Sequence, residues 1–304
     1  MIRYIAYENI DKQKWDECIS HSINSLVYGY SWYLDAVCRK WDALADEDYT
    51  IVFPLTSNRK CGFTYLYQPY FTQQLGIFSI KPLTANIIED FIDAIPAKYR
   101  FIEINLNYGN EINGKRYGIS KCLNLLLDLR KSYEIVEKGY SQNVRRNIKT
   151  AKEKGINTGF STEPADIVDL FRRFKAREFT HIKDHHYTRL LMLIQVLKEK
   201  KLARCTGAYN ASGELCAGIV WVITQSRAIF LFSGVSPEAR EAGAMSWLID
   251  QFIREHSDTE QLIDFEGSNN TGLARFYKSF GSSEEFYCHL KINRLPSVIR
   301  LIKK

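Results

Sequence analysis

Two carboxylates, Asp264 and Glu266, follow an apolar run late in the chain. Residues 262–265 predict a strand, and strand ends commonly open onto a ligand crevice. On a two-residue period Asp264 and Glu266 share one face, while Phe265 points to the other. Like charges side by side can raise the pKa of one carboxyl toward neutrality, which suits a general base. The alternative is that both acids form salt bridges with nearby Arg or Lys residues.

Positive charge is concentrated in two segments of a chain with 41 Lys and Arg, 35 Asp and Glu, and a net charge of +6. Residues 138–154 hold six basic residues and one acid, and residues 291–304 hold five basic residues and no acid. Arg145, Arg146 and Lys149 lie together on a predicted helix, because 145 and 149 are one helical step apart. This face suits the phosphates of a nucleotide-linked donor, an acidic acceptor or tRNA. The alternative for residues 138–154 is a solvated helix face, and the alternative for residues 291–304 is a frayed tail.

The composition excludes several classes of protein. Hydrophobic residues make up 45% and charged residues 25%, as in globular domains and unlike disordered, collagen-like or coiled-coil chains. No apolar run is long enough to span a bilayer, and the N-terminal residues lack a signal-peptide pattern. The 7 Cys are scattered, and His181, His185 and His186 lack an evident third ligand, so we expect no disulfide framework and no metal. These features together predict a soluble, cytoplasmic protein.

The first half of the chain predicts a mixture of strands and helices. The predicted strands are 2–7, 49–56, 62–68, 99–106 and 121–127, and the predicted helices are 11–21, 31–39 and 84–94. Ser31 and Thr84 are predicted caps. A Lys-, Ser- and Glu-rich stretch follows the last of these strands. We therefore predict an N-terminal domain over 1–135, a C-terminal domain over 136–292 and a basic tail over 293–304.

The second half is more regular. A basic helix at 141–154 begins at Ser141 and ends before Gly155. The elements predicted after it are strand 156–161, helices 164–179 and 184–200, strands 202–210, 214–224 and 227–235, helix 239–255, strand 261–266, helix 270–280 and strand 284–292. From the first strand onward, the order is β-α-α-β-β-β-α-β-α-β.

This order resembles the fold of GNAT N-acyltransferases, and local patterns support the resemblance. The segment Arg240-Glu241-Ala242-Gly243-Ala244-Met245 is similar to the family's [Q/R]-x-x-G-x-[G/A] turn. The spacing of Asn270, Tyr277 and Gly281 is similar to the family's last strand–helix–strand unit. Met245, Leu273 and Ser282 depart from these patterns.

Further strings resemble the FemAB-like branch of this superfamily: NVRRNIK at 143–149, DFEGS at 264–268, ARFYKSFG at 274–281, and SWYLDAVCRKW and YQPYFTQQLGIFS in the first half. The resemblance covers most of the chain. It implies an α/β fold of the α+β kind, with two tandem GNAT-like domains. Each domain would be a mixed, mostly antiparallel sheet flanked by helices.

The resemblance also implies roles for individual residues. Tyr277 would protonate the leaving thiolate. Glu266, the candidate base from its place at the end of a predicted strand, would accept a proton from the attacking amine. A backbone N–H near Gly234 or Val235, released by a break in the strand ladder, would stabilise the oxyanion. The remaining cofactor-binding residues would be Arg240, Gly243 and Ala244 at a pyrophosphate turn, and Asn270 beside the pantetheine arm.

The predicted function is therefore transfer of an acyl group to an amine on a cell-envelope precursor, a sugar or a small metabolite. The donor would be acyl-CoA or aminoacyl-tRNA. The short connection between helices 164–179 and 184–200 leaves no room for the long helical arm often found in Fem-type enzymes, which disfavours tRNA. Two alternatives stay open: a binding module that has lost its chemistry, and a tRNA- or RNA-binding protein that uses residues 138–154.

Overall fold

The computed structural model describes residues 1–112, 116–159 and 161–296. They form two compact units, the first of Met1–Leu123 together with the chain from Phe286 onward, and the second of Asn124–Glu285. The chain leaves the first unit within strand β7 (Gly118–Asp128) and returns to it within strand β13 (Ser283–Asn293). The predicted domain limits, 1–135, 136–292 and 293–304, stay predictions, and most of the predicted tail lies outside the described residues.

The first unit has a sheet with the strand order β1-β2-β3-β4-β6-β13, and β5 pairs with β3. Its remaining strands are β1 (Arg3–Ile5), β2 (Trp41–Ala45), β3 (Ile51–Lys60), β4 (Phe63–Tyr67), β5 (Phe78–Ser79) and β6 (Tyr99–Asn105), and its α-helices are α1 (Lys12–His21), α2 (Ser31–Val37) and α3 (Ala85–Asp93). Thr84 caps α3 as predicted, since its side chain accepts a hydrogen bond from the Ile87 N–H. Ser31 is not the cap of α2, because Tyr30 holds that position.

Strand β2 is absent from the sequence prediction. All five of its residues are buried, including Asp42, which interrupts the apolar pattern. The Asp42 carboxylate accepts hydrogen bonds from the Tyr4 hydroxyl at 2.6 Å and the Tyr99 hydroxyl at 2.7 Å. A buried carboxylate is tolerated when such donors satisfy it, and these donors are distant in sequence.

The second unit has the strand order β7-β12-β11-β10-β9-β8. Its strands are β8 (Asn157–Gly159), β9 (Ala203–Tyr209), β10 (Leu215–Ile223), β11 (Arg227–Val235) and β12 (Leu262–Asp264), and its helices are α4 (Tyr133–Lys138), α5 (Gln142–Glu153), α6 (Pro164–Phe174), α7 (Asp184–Glu199), α8 (Pro237–Glu241), α9 (Ala244–His256) and α10 (Thr271–Lys278). The predicted order of elements after residue 155 is confirmed, with α8 as an addition. A mixed, mostly antiparallel sheet flanked by helices is also confirmed.

Helices cover both faces of this second sheet. On one face Gly218 and Gly234 lie against α6, where added Cβ atoms would come within 2.7 Å of the Ile167 side chain and 2.6 Å of its carbonyl oxygen. On the other face Trp221 of β10 stacks on Phe252 of α9, with ring centroids 4.0 Å apart. Within the described residues, no helix has both the length and the apolar character to cross a membrane.

The single helix predicted over 239–255 is wrong, because α8 and α9 are separate helices. Ser236 caps α8, whose first residue is Pro237. Gly243 then adopts a left-handed conformation with φ of 77° and begins α9. At this position a Cβ atom would lie 2.4 Å from the Asn147 carbonyl oxygen of α5. The break is therefore set by a close contact between two helices.

The contact predicts that Gly243→Ala is strongly destabilising. The left-handed backbone costs a residue with a Cβ about 1 to 2 kcal/mol, and the clash with α5 adds about 1 to 3 kcal/mol. Gly213→Ala is the matched control: φ is also positive, at 80°, but no described heavy atom lies within 4 Å of the added Cβ. Urea unfolding measures both free energies. Equal losses in the two variants would contradict the helix contact as the cause.

Candidate active site

Parallel strands β11 and β12 part in the middle of the second unit. Their register among the described residues comprises three pairs and ends where Ile229 meets Asp264. Strand β11 continues to Val235 and remains paired with β10. Residues 230–235 of β11 therefore have an edge that extends beyond the pairing with β12, which we call the open edge.

A β-bulge lies on this same segment. The register between β10 and β11 shifts between Val220 and Trp221, so that Leu231 is the additional residue on β11. Pairing is regular at Gly234 and Val235, near which the sequence predicts a break in the ladder. That expectation is wrong in position, since a bulge depends on the pairing of two strands and not on one local sequence.

Alternation along β11 decides which backbone groups face the open edge. The Ser236 N–H donates to the Cys216 carbonyl of β10 at 2.9 Å. Since backbone groups of successive residues point to opposite sides of a strand, those of Val235 and Ser233 face the open edge, whereas those of Gly234 face β10. Of the two residues named as oxyanion donors, only Val235 has the required direction.

Glu266 lies in a tight turn directly after β12. Glu266 and Gly267 both have left-handed backbones, with φ of 47° and 53°. The Glu266 N–H donates to the Asp264 carboxylate at 3.2 Å, and the Ser268 hydroxyl donates to the Glu266 carbonyl at 2.8 Å. A left-handed residue other than glycine is strained, and such strain is concentrated at functional sites.

Asp264 belongs to a buried charge cluster. Its carboxylate lies 2.8 Å from the Arg227 guanidinium and accepts a hydrogen bond from the Asn124 amide at 3.0 Å. Arg227 also pairs with Glu285 at 3.2 Å. The expected pair of like charges on one strand face is therefore wrong: Asp264 is neutralised by Arg227, and β12 ends before Glu266.

Glu266 and Tyr277 are brought together in the structure. Glu266 is partly buried, and burial raises its pKa from an ordinary 4.5 to about 8. Burial also raises the pKa of Tyr277, and the negative charge of Glu266 adds to this effect. The Tyr277 ring stacks on Phe265 with centroids 4.6 Å apart, and Phe230 of β11 lies 5.8 Å away. The Glu266 carboxyl and the protonated Tyr277 hydroxyl thus lie near the point where β11 and β12 part.

Asn270 begins the helix that carries Tyr277. Its side-chain oxygen accepts hydrogen bonds from the Gly272 N–H at 3.0 Å and the Leu273 N–H at 3.1 Å. The amide oxygen therefore caps α10. Contact between Asn270 and a pantetheine arm stays a prediction.

The expected pyrophosphate turn is packed against protein. The backbone of α5 fills the space beside Gly243, and the Gly243 N–H donates to the Arg240 carbonyl at 3.1 Å. Arg240 is exposed, whereas Ala244 is fully buried at the start of α9. Close packing against α5 explains why residue 243 is a glycine. A cofactor role for Arg240, Gly243 and Ala244 stays a prediction.

The basic face of α5 is exposed. Arg145 donates to the carbonyls of Glu137 at 2.5 Å and Tyr140 at 3.3 Å, and so fastens α5 to the end of α4. Arg146 donates to the Asn143 side chain, and Lys149 lies 3.7 Å from Glu153. Phosphate binding by these three residues stays a prediction.

Two features of the site are absent from the sequence prediction. The first is the charge cluster around Arg227, which the sequence could have indicated, because a charged residue that begins a buried strand requires a partner. The second is the bulge at Leu231, for which no residue pattern in the sequence gives an indication. Over the described ranges, no group of three or more His, Cys, Asp or Glu side chains is suited to hold a metal ion.

The family comparison concerns the unit that contains this site. Residues 138–278 match the family model described as Acetyltransferase (GNAT) domain. No curated protein matches the sequence. Residues 138–278, which lie within the second unit, are thus similar to GNAT acetyltransferase domains.

Solved structures extend the fold likeness to the whole chain. FemX matches with a TM-score of 0.65 and 13% identity, over 99% of this chain and 100% of that one. A tandem GNAT protein from the clavulanic acid biosynthesis pathway matches with a TM-score of 0.54 and 11% identity, over 98% of this chain and 100% of that one. The C-terminal domain of a putative lysylphosphatidylglycerol synthetase from Agrobacterium fabrum matches with a TM-score of 0.52 and 13% identity, over 94% of each chain. Over its whole length, the chain is therefore similar in fold to FemX and to a tandem GNAT protein.

The raised pKa of Glu266 predicts how stability depends on pH. The unfolded chain releases this proton near pH 4.5 and the folded chain only near pH 8. As pH rises between these values, the wild type loses stability relative to Glu266→Gln, and the difference is constant above and below them. Urea unfolding from about pH 4 to about pH 9 measures it. Glu284→Gln, which removes an exposed acid of the same unit, is the control. If the wild type lost as much stability relative to Glu284→Gln over this pH range, burial of Glu266 would be contradicted as the cause.

Proposed function

We propose that this protein is an N-acyltransferase that moves an acyl group from a thioester to an amine. The observation that carries the proposal is the position of Glu266, with its raised pKa, beside Tyr277 where β11 and β12 part. An acyl transfer to an amine needs a proton acceptor, a donor for the leaving group and an oxyanion contact. The second unit offers a candidate for each.

Glu266 is the proposed general base. The amine nitrogen attacks the acyl carbon and its proton passes to the Glu266 carboxylate, directly or through one water. A pKa of about 8 suits this role, because a base is most effective near the operating pH. Burial supplies this property, since it disfavours the charged carboxylate.

Tyr277 is the proposed acid. Its raised pKa keeps the hydroxyl protonated at neutral pH, so that it can give a proton to the leaving sulfur as the carbon–sulfur bond breaks. Stacking on Phe265 fixes the direction of the ring. The Glu266 charge disfavours the tyrosinate, which then recovers a proton readily.

The open edge is the proposed contact for the acyl carbonyl. The N–H groups of Ser233 and Val235 point away from β10, so a carbonyl oxygen beside β11 can accept from one of them as negative charge develops. An extended chain with amide groups can also pair with this edge in the manner of an added strand. These donors replace the pair Gly234 and Val235 expected from sequence.

Acyl-CoA is the proposed donor, and it would supply the activated acyl group. GNAT domains generally use acyl-CoA, and the open edge fits the amide-bearing arm of that molecule. The fit is poorer at the Gly243 turn, where α5 occupies the space that a pyrophosphate would need. Phosphate contacts would instead come from exposed cations, of which Arg240 lies nearest to that turn in the chain. Aminoacyl-tRNA is the other candidate donor.

The proposed acceptor is an amine on a cell-envelope precursor, with a sugar or small metabolite as alternatives. This proposal rests on the fold shared with FemX and with a protein named as a putative lysylphosphatidylglycerol synthetase. The second of these names refers to a lipid product.

Glu266→Gln is expected to lower kcat by about 10²-fold or more while the KM for the donor changes little. The amide keeps the size of the side chain but cannot accept the proton. Release of thiol from acetyl-CoA, followed with a panel of amines, measures the rate. An unchanged rate would remove Glu266 from the mechanism.

Glu284→Gln is the matched control for this experiment, because it removes an exposed carboxylate of the same unit and should leave the rate near wild type. In the wild type, kcat/KM should rise with pH and level off near pH 8, where Glu266 ionises. If the same rise of kcat/KM with pH persisted in Glu266→Gln, the ionisation that causes it would belong to another group.

A binding module without catalysis is the second candidate function. The packing of α5 against Gly243 favours it, since that turn is then closed to a ligand. Titration calorimetry with acetyl-CoA separates the two functions. Absence of heat with acetyl-CoA and with aminoacyl-tRNA supports the binding module, whereas saturable heat with acetyl-CoA together with thiol release in the presence of an amine supports the transferase.

A further inference from the structure

Leu273 lies beside the candidate active site and has no part in the mechanism proposed above. It is one of the residues that depart from the GNAT pattern, and it is 42% exposed. Single exposed leucines are common on protein surfaces, so exposure alone indicates nothing. The position of Leu273 relative to Glu266 and Tyr277 distinguishes it from other exposed apolar residues.

Two contacts fix the position of Leu273. Its N–H donates to the Asn270 side chain at 3.1 Å, which places the residue in the first turn of α10. Its side chain reaches the turn that carries Glu266, since a Cβ atom added at Gly267 would lie 3.4 Å from Leu273 Cδ1. Leu273 and Tyr277 are one helical step apart, so they share the face of α10 that is turned toward Glu266.

The aromatic residues beside Glu266 are closed to solvent. Phe265, Tyr277 and Phe230 are all buried, and their rings contact one another. Leu273 is the exposed member of this apolar group. It is therefore the side chain that stands between the turn of Glu266 and the solvent.

The ionisable groups on the neighbouring elements do not account for the character of Glu266. They are Asp264 of β12, Arg227 of β11, Glu285 of β13 and Tyr277 of α10. Arg227 pairs with both of the other acids, and the raised pKa of Tyr277 keeps its hydroxyl protonated. Burial is the cause of the raised pKa of Glu266, so the exclusion of water decides its protonation.

We propose that Leu273 is a positioning residue that covers the Glu266 carboxyl and keeps water from it. Its branched end fills space above the turn that water would otherwise enter. Water stabilises the charged form of a carboxyl, so its exclusion favours the protonated form. Leu273 acts on the proton acceptor and not on a substrate. The kinetic consequence rests on the proposed function, whereas the covering of Glu266 does not.

Leu273→Ala tests the proposal through the pH dependence of stability. The variant should fold, because the side chain is already exposed and alanine is the better helix former. Urea unfolding from about pH 4 to about pH 9 compares Leu273→Ala with the double variant Leu273→Ala, Glu266→Gln, and the wild type with Glu266→Gln. In the wild type the loss of relative stability levels off near pH 8. Without the leucine, we expect it to level off about one pH unit lower or more.

Two controls separate the covering of Glu266 from general loosening of the fold. Leu273→Met keeps an apolar side chain of similar volume and should level off near pH 8. Ile135→Ala removes an exposed aliphatic side chain from α4 of the same unit and should also level off near pH 8. An unchanged profile in Leu273→Ala, an equal shift in either control, or no levelling near pH 8 in the wild type overturns the proposal.

Kinetics give a second readout that separates this proposal from the proposed function. If Glu266 is the base, kcat/KM of Leu273→Ala should level off at the same lower pH as its stability profile, with little change in the KM for the donor. A shifted stability profile without any acyl transfer by the wild type would overturn the proposed function and support the covering role. Transfer with an unshifted stability profile would do the reverse.

Discussion

The Arg227 guanidinium lies between two carboxylates inside the second unit, 2.8 Å from Asp264 and 3.2 Å from Glu285. These three residues come from β11, β12 and β13, and Asn124 of β7 donates to Asp264 as well. Loss of one partner would leave a buried charge uncompensated, which is strongly unfavourable. The cluster therefore holds β12, only three residues long, in its place in the sheet. The turn of Glu266 begins directly after this strand and bonds to the same Asp264 carboxylate, so the position of the candidate base depends on it.

The same cluster explains why two acids so close in sequence differ in character. Asp264 faces Arg227, and its charge is stabilised by an ion pair and an amide. The pKa of Glu266 is governed by burial. Sequence spacing suggests repulsion between the two acids as the source of a raised pKa, whereas the structure identifies loss of water as the source. Desolvation can shift a carboxyl pKa by several units without a second charge.

Glycines in the second unit show how one pattern can serve two purposes. Gly243 occupies the place of a ligand-binding glycine in the GNAT pattern, but the backbone of α5 approaches it. Gly234 allows α6 to approach β11 in the same way. A missing side chain permits close contact with whatever lies beside it, and the sequence does not say whether that is a phosphate or a helix.

Local patterns in the sequence determined much of the architecture: the order of elements after residue 155, and the Thr84 and Ser141 caps. Periodicity and capping act over a few residues, so they can be read from neighbours in the chain. Only the tertiary structure decided the bulge at Leu231, strand β2 with its buried Asp42, the left-handed backbone of Glu266 and the raised pKa of that residue. Each of these depends on groups far apart in sequence, as when Asn124 meets Asp264, and water is excluded only once those groups have packed together.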